Sequence, residues 1–273
     1  MEQNIKYVCD KEQQSKWFPY SISIKPNDFI IQNGVHGHCP TDNCSEECNQ
    51  YNPSYWKNFE IKDLIKDDIE IGCFGCSFTY GNFLPIKDTW PFLIEQKTSK
   101  KTGNFGIPGG GADGCYTNLC NAHEVFKIKT AIILFPVMER RLLKFEKHGI
   151  FFQFPVGPHT SWPYDDVVSQ NYFDRSFIQE KILKTQKELL LDEKNDFSKE
   201  EIMKIKKYCS KYNINLMVSS WDPTTYNFLK ENGFNMLSRY DMEVTDKRAP
   251  GTHPTFEHND SWTELIFSDI SKY

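Results

Sequence analysis

The sequence predicts an α/β fold in which a mainly parallel sheet is covered by helices on both faces. Three continuous apolar runs, IEIGCF, TAIILFPV and INLMVS, are separated by stretches with helical spacing. Continuous rather than alternating apolar runs are typical of strands buried on both faces. Strands that alternate with helices favour parallel pairing through helical crossovers. Ligands of such sheets bind at the carboxyl ends of the strands, so we expect a functional site there.

The first elements are predicted from about residue 66 onward. Ile69–Phe74 is the first buried strand. Asp88 is predicted to cap the next helix, with Pro91 tolerated in its first turn. A short strand over Thr102–Gly106 enters the glycine-rich turn GIPGGGADG, and a helix is expected over about Cys115–Phe126. Each apolar run is thus followed by a turn and a helix, as the βαβ arrangement requires.

The second half of the chain continues this alternation. Thr130–Val137 and Ile214–Ser219 are predicted as buried strands, and a helix is expected over about Phe173–Leu191. Ser198 with Glu201 has the spacing of a capping box, which predicts the start of another helix. The chain then closes with one more helix.

The closing helix is predicted to begin at about Asp260. Its apolar residues recur at helical spacing and are expected to form its core face. They are Trp262, Leu265, Ile266 and Ile270. His258 is expected to be a surface residue near the start of this helix.

Two parts of the chain do not show the alternating pattern. Residues 1–65 contain several prolines between short aromatic segments and are interpreted as an N-terminal extension packed on the core. Residues 66–273 form the main domain, with an insertion around 151–200. The aromatic and proline-rich residues 151–170 are expected to form an ordered loop. Its aromatic side chains line either a sugar-binding wall or an internal hydrophobic seam, and the seam is slightly favoured.

Composition excludes several function classes. The formal net charge is −5 and no basic block is present, so nucleic acid is not an expected partner. The longest apolar runs are too short to span a bilayer, and residues 1–20 lack an apolar signal segment. We therefore expect a protein made in the cytoplasm and without a membrane-spanning segment.

Nine cysteines leave two interpretations of one cluster open. Three of them lie close to two histidines in HGHCPTDNCSEEC, as His36, His38, Cys39, Cys44 and Cys48. The set can supply four zinc ligands, but its spacing matches no standard pattern. A polar loop with free thiols or one local disulfide is favoured, and no metal is predicted. Cys73 and Cys76 form a C-x-x-C, but Cys73 lies within a strand rather than at a helix start, which argues against a redox role.

The segment IEIGCFGCSFTYG contains the main catalytic candidate. Its apolar run ends at Gly75, and Ser77 follows on what is predicted to be a tight turn. Serine is a poor nucleophile unless a base lies beside it. His253, followed by Pro254 just before the closing helix, is the candidate base.

These residues resemble the SGNH, or GDSL-like, hydrolases in three blocks. Gly75–Gly81 is similar to the Gly-Asp-Ser block, with a cysteine in place of the aspartate as in phage-encoded members. Asn104–Gly109 is similar to the second block, and His253-Pro254 to the last one. The resemblance covers about residues 66–273. It implies a flavodoxin-like three-layer α/β/α fold and ester hydrolysis through an acyl-enzyme, with oxyanion donors from the backbone of Ser77 and Gly109. Asn104 is expected to brace the turn.

The sequence departs from the family pattern at two positions. The asparagine of the third block is missing, and Arg140 or Arg141 is the candidate replacement donor. The family's aspartate three residues before the histidine is Pro250 here. Asp246, seven residues before His253, is the first candidate to orient the imidazole, and Asp222 is the second.

The resemblance predicts a serine esterase that needs no cofactor. Its expected substrate is a small acyl ester, such as an O-acetyl group on a carbohydrate. An acyltransferase on the same residues is a weaker possibility. The alternative is a catalytically degenerate protein of this fold that serves as a virion or carbohydrate-binding component. The two departures support that alternative, in which the N-terminal extension is an assembly surface.

Overall fold

The described part of the chain forms a parallel sheet between two helical layers. The computed structural model describes residues 22–23, 69–81, 84, 88–107, 109–147, 150–157, 175–192, 194–243 and 253–270. Its strands are β1 (Ile22–Ser23), β2 (Ile71–Gly75), β3 (Thr102–Gly106), β4 (Thr130–Phe135), β5 (Arg141–Lys147), β6 (Ile150–Val156) and β7 (Asn215–Ser220). Its helices are α1 (Ser77–Tyr80), α2 (Trp90–Thr98), α3 (Ala112–Phe126), α4 (Arg175–Leu191), α5 (Asp196–Tyr212), α6 (Pro223–Glu231) and α7 (Phe256–Ile270).

The central sheet has four strands in the order β3-β2-β4-β7, and all three pairings are parallel. β2 lies in the middle, with Gly75 opposite Gly106 on one side and Leu134 on the other. The predicted α/β fold with a parallel sheet is confirmed. The carboxyl ends of the four strands meet at one edge, where the residues after Gly75 begin the serine turn.

Alternate residues of β4 face the two helical layers. Ile133 packs in a cluster with residues of α3 and α5, such as Leu119 and Ile205. Ile132 packs in a second cluster with Trp262 of α7 and residues of α2. Both faces of the strand are therefore buried against helices, which explains why its sequence is apolar throughout rather than alternating.

A smaller antiparallel sheet is formed mainly by the residues after β4. β5 pairs with β6 in a hairpin, and β1 pairs with β6 on the other side. The expectation of a loop over 151–170 is therefore wrong for its first residues, since Ile150–Val156 is a strand. Residues 158–170, which include Trp162 and Tyr164 of the predicted sugar-binding wall or hydrophobic seam, lie outside the described residues.

Three predicted element boundaries differ from the structure. β4 ends at Phe135 rather than Val137, because Pro136 has no N–H to donate to a ladder. α3 begins at Ala112, three residues early, since Gly111 is its N-cap and Asp113 lies favourably in its first turn. α7 begins at Phe256 rather than Asp260.

Both predicted helix caps are wrong. The N-cap of α2 is Thr89, and its side chain makes no capping hydrogen bond. The N-cap of α5 is Asn195, so Ser198 and Glu201 lie inside the helix. The hydroxyl of Ser198 instead donates to the carbonyl of Met138. A sequence pattern cannot reveal that this hydroxyl has a partner 60 residues away.

The core face of α7 is correct at three of four positions. Trp262, Ile266 and Ile270 are buried, but Leu265 is 53% exposed. Leu265 directly precedes Ile266, and successive residues of a helix point in different directions, so both cannot face the sheet. The expectation that His258 lies at the surface is wrong as well, because its side chain is fully buried.

Candidate active site

Ser77 lies on a tight turn at the carboxyl end of the central strand β2. Gly75 ends the strand with φ of +155°. A Cβ atom there would lie 2.6 Å from the carbonyl oxygen of Leu134, so only glycine fits. Ser77 begins α1 and is 7% exposed. Its backbone N–H belongs to the first turn of the helix, where no helical carbonyl can accept it.

The neighbouring strand β3 fixes this turn from the side. The amide of Asn104 donates to the carbonyls of Thr79 at 2.9 Å and Tyr80 at 3.3 Å, and its oxygen accepts from Gly106 N–H. A Cβ atom on Gly106 would lie 2.9 Å from Tyr80 Cα, so the two segments are in backbone contact. Asn104 thus uses its donors and its acceptor within the protein, as a bracing residue does.

The glycine-rich turn after β3 lies at the same edge of the sheet. Gly109 has φ of +71° and is half-buried. Gly110 N–H donates to the carbonyl of Ile107, which closes the turn. A Cβ atom on Gly111 would lie 2.8 Å from the carbonyl carbon of Arg140. The residues after β4 are therefore in contact with the end of this turn.

The structure distinguishes the two arginines after β4. Arg141 is bound towards α4: its guanidinium pairs with Glu188 at 3.0 Å, lies 3.8 Å from Asp192, and stacks 4.2 Å from the Phe197 ring centroid. Arg140 forms no ion pair with the described residues. Its buried Nη1 has no hydrogen-bond partner among them. Arg141 Nε is also buried without such a partner, but its guanidinium is held by the contacts above, so Arg140 is the better candidate for a donor in the site.

His253 lies beside the serine turn. Its ring is 5.8 Å from the ring of Phe78, centroid to centroid, at an interplanar angle of 61°. Phe78 directly follows Ser77. Phe78 also stacks on the ring of Trp221 at 5.1 Å and lies 6.1 Å from the ring of Tyr240, both measured between ring centroids. Two segments separated by more than 170 residues in sequence thus meet at one aromatic cluster.

The two candidate acids have different positions. Asp222 is the N-cap of α6, where its Oδ2 accepts from the backbone N–H of Thr225 at 2.8 Å and from its hydroxyl at 2.7 Å. This carboxylate has a structural role at the helix start. Asp246 lies outside the described residues.

Sequence reasoning missed two aromatic side chains of the candidate site and misplaced one histidine. Phe78 contacts the ring of His253 and stacks on Trp221. His258, five residues after the base, was expected at the surface but is fully buried. Trp221 was recognisable from its position directly after a strand, since that is where ligand sites of parallel sheets lie. The pattern Thr255-x-x-His258 has the spacing of a capping box, although histidine is not its usual third-position residue.

Burial keeps one nearby phenol and the thiol of Cys73 protonated. Burial, and secondly the nearby Cys76, raises the pKa of Tyr240 well above 10.0, and its hydroxyl donates to Asn259 Oδ1 at 2.6 Å. Burial likewise raises the pKa of Cys73 well above 9.0. A thiol that stays protonated is neither a nucleophile nor a metal ligand, so Ser77 has no thiolate competitor at Cys73.

The described residues contain no group of three or more histidines, cysteines or carboxylates able to hold a metal ion. The Cys39, Cys44 and Cys48 cluster with His36 and His38 lies outside them. In the same part of the chain, no helix combines the length and apolarity needed to cross a membrane.

Comparison of the fold finds similarity to solved hydrolase structures. No protein-family model and no curated protein matches the sequence. TesA is 9% identical with a TM-score of 0.45, covering 74% of this chain and 98% of its own. The psychrotrophic esterase EstA from Pseudoalteromonas is 11% identical with a TM-score of 0.43, covering 75% and 98%. A GDSL-like lipase from Bacteroides thetaiotaomicron is 12% identical with a TM-score of 0.38, covering 82% and 97%. These neighbours are GDSL, or SGNH, hydrolases.

Proposed function

We propose that the chain is a serine ester hydrolase of the SGNH type, with Ser77 as nucleophile and His253 as base. The observation that carries this proposal is the ring contact between His253 and Phe78. It brings a histidine from the end of the chain against the residue that follows a strand-end serine. A titratable imidazole beside a serine on a rigid turn is the arrangement that nucleophilic catalysis requires.

The proposed reaction has two steps. His253 accepts the hydroxyl proton as Ser77 Oγ attacks the ester carbonyl carbon. The backbone N–H groups of Ser77 and Gly109 donate to the oxyanion. The alcohol then leaves with the proton held by His253, and an acyl-enzyme remains. Water, activated by His253, attacks this ester and releases the acid and the free serine.

Arg140 is proposed as the third oxyanion or substrate donor in place of the missing asparagine. Its guanidinium belongs to the residue whose backbone contacts the glycine turn. Its buried Nη1 without a described partner is a donor that a substrate oxygen would satisfy. The substrate we propose is a small acyl ester, such as an O-acetyl group on a carbohydrate.

Labelling with a fluorophosphonate probe tests the nucleophile. We expect the probe to label the wild type but not Ser77→Ala. Ser219→Ala is the matched control, because Ser219 is a buried strand serine whose hydroxyl donates to Ser238 O. Equal labelling of wild type and Ser77→Ala would refute the assignment. A folded wild type that no probe labels would favour the non-catalytic alternative.

The orienting acid is tested by two matched substitutions. Asp246 is proposed first, and Asp222 already accepts two hydrogen bonds at the start of α6. We expect Asp246→Asn to reduce ester turnover strongly, because an orienting carboxylate fixes the imidazole tautomer and stabilises the imidazolium. Asp222→Asn should lower stability but spare turnover. The reverse pattern in steady-state kinetics would make Asp222 the orienting residue.

A further inference from the structure

We propose that His258 is a positioning residue for His253, which rests on the function proposed above. His258 lies on α7, five residues after the candidate base, and its side chain is fully buried. The mechanism gives this second histidine no chemical role. Its contacts instead join the two ends of the segment that carries His253.

The hydrogen bonds of His258 fix its tautomer. Nδ1 accepts from the backbone N–H of Thr255 at 3.1 Å, and the Thr255 hydroxyl is 2.9 Å away. Nε2 is 3.3 Å from the carbonyl oxygen of Met242. A backbone N–H can only donate and a backbone carbonyl can only accept. The ring is therefore neutral, with its proton on Nε2.

The first contact is a variant of the capping box. The carbonyl of Thr255 accepts the helical bond from Asn259 N–H, so Thr255 is the N-cap of α7. His258 is the third helical residue, and its side chain reaches back to the N-cap N–H, as glutamate or glutamine does in a standard capping box. This bond fixes the backbone two residues after His253.

The second contact gives a reason for histidine at this position. Met242 precedes the stretch that leads to His253, and Thr255 follows it. One buried ring thus connects both ends of this stretch. A glutamate at position 258 could cap the helix but could not donate to the Met242 carbonyl, whereas a neutral imidazole does both. The stretch that carries His253 is then held at both ends by His258, and the His253 ring is held by its contact with Phe78.

Two substitutions test the hydrogen bonds of His258. His258→Leu removes the hydrogen bonds to Thr255 and Met242, and His258→Gln keeps an acceptor for Thr255 and a donor for Met242. Ile266→Val is the control, because Ile266 is a fully buried residue about two turns further along the same helix. We expect kcat for a model ester to fall by about 100-fold in His258→Leu with KM little changed, since small misplacements of reacting groups have effects of this size. His258→Gln should restore most of it.

Imidazole nitrogen NMR provides a readout that is independent of activity. We expect the wild type to show His258 protonated at Nε2 and not at Nδ1. The His253 ring signal should shift or broaden in His258→Leu, and remain unchanged in His258→Gln and Ile266→Val. A wild-type His258 protonated at Nδ1 would overturn the proposal even if the leucine variant does not fold. So would an unchanged His253 signal and kcat in a folded His258→Leu protein. If the wild type has no esterase activity, the proposed function fails, while the NMR result still tests the positioning.

Discussion

The candidate site has two halves that are held by different kinds of contact. One is the serine turn, residues 75–81, and the other is the histidine segment, residues 253–258. The turn is fixed by backbone contacts, since Gly75 and Gly106 lie where any Cβ atom would collide. The histidine segment is fixed by side chains: Phe78 contacts the ring of His253, and His258 hydrogen-bonds on both sides of it. Damage to the turn should therefore disrupt folding and function together. Loss of the side-chain contacts of His253 and His258 should disrupt function first.

The largest effect is expected for Gly106→Ala. The added methyl would lie 2.9 Å from Tyr80 Cα and from the carbonyl carbon of Thr79, and backbone atoms cannot move aside as side chains do. We expect the free energy of unfolding to fall by about 3 kcal/mol, and Ser77 labelling by a fluorophosphonate to be lost. Chemical denaturation and probe labelling measure the two effects.

Gly233→Ala is the control for this prediction. Gly233 has φ of +63° but no close neighbour, since an added Cβ atom would only be in ordinary van der Waals contact with Lys206 Nζ, at 3.8 Å. Its substitution should cost about 1 kcal/mol through backbone strain alone and leave labelling intact. If Gly106→Ala were no more destabilising than Gly233→Ala, close backbone contact would not be what fixes the turn.

A smaller effect is expected for Asn104→Ala. This change removes two donated hydrogen bonds to Thr79 and Tyr80 and one accepted from Gly106. We expect a loss of about 2 kcal/mol, because the buried carbonyls lose their partners, together with slower labelling of Ser77. Asn118→Ala is matched, since the buried Asn118 amide donates to the Phe105 carbonyl at 3.0 Å rather than to a carbonyl of the turn. Equal labelling rates in the two variants would show that Asn104 contributes to stability alone.

The two halves also differ in what could be predicted from the sequence. The turn was predictable because glycine spacing around Ser77 reports local backbone geometry. The sheet was predictable because three of its four strands, β2, β4 and β7, lie in short apolar runs. The starts of α2 and α5 could not be predicted from the sequence, because the residues suited to capping, Asp88 and Ser198, are not the N-caps. The role of His258 was hidden for a related reason. One of its partners, Met242, lies 16 residues away, and no local pattern reports such a contact.

The smallest effect is expected for Tyr240→Phe. This change tests whether the hydrogen bond between Tyr240 and Asn259 contributes to stability rather than to activity. The hydroxyl of Tyr240 donates to Asn259 Oδ1 on α7, and the amide nitrogen of Asn259 donates to the carbonyl of Asp88 at 2.9 Å, so Asn259 connects Tyr240 with the start of α2. Loss of the Tyr240 hydrogen bond should lower the free energy of unfolding at pH 7 by about 1 kcal/mol. The ring contact with Phe78 is retained, so ester turnover should change little.

The pH dependence of the same variant gives a second test. Burial raises the pKa of Tyr240 above 10.0, so the folded protein keeps a proton that the unfolded chain loses above pH 10. The folded state then binds more protons, and wild-type stability falls as pH rises above 10. Tyr240→Phe lacks this group, so its stability should fall less steeply, and the gap between the two proteins should narrow. Urea denaturation between pH 7 and pH 11 measures both curves. Parallel curves would show that Tyr240 titrates alike in both states, and a large loss of turnover would place its hydroxyl in the site itself.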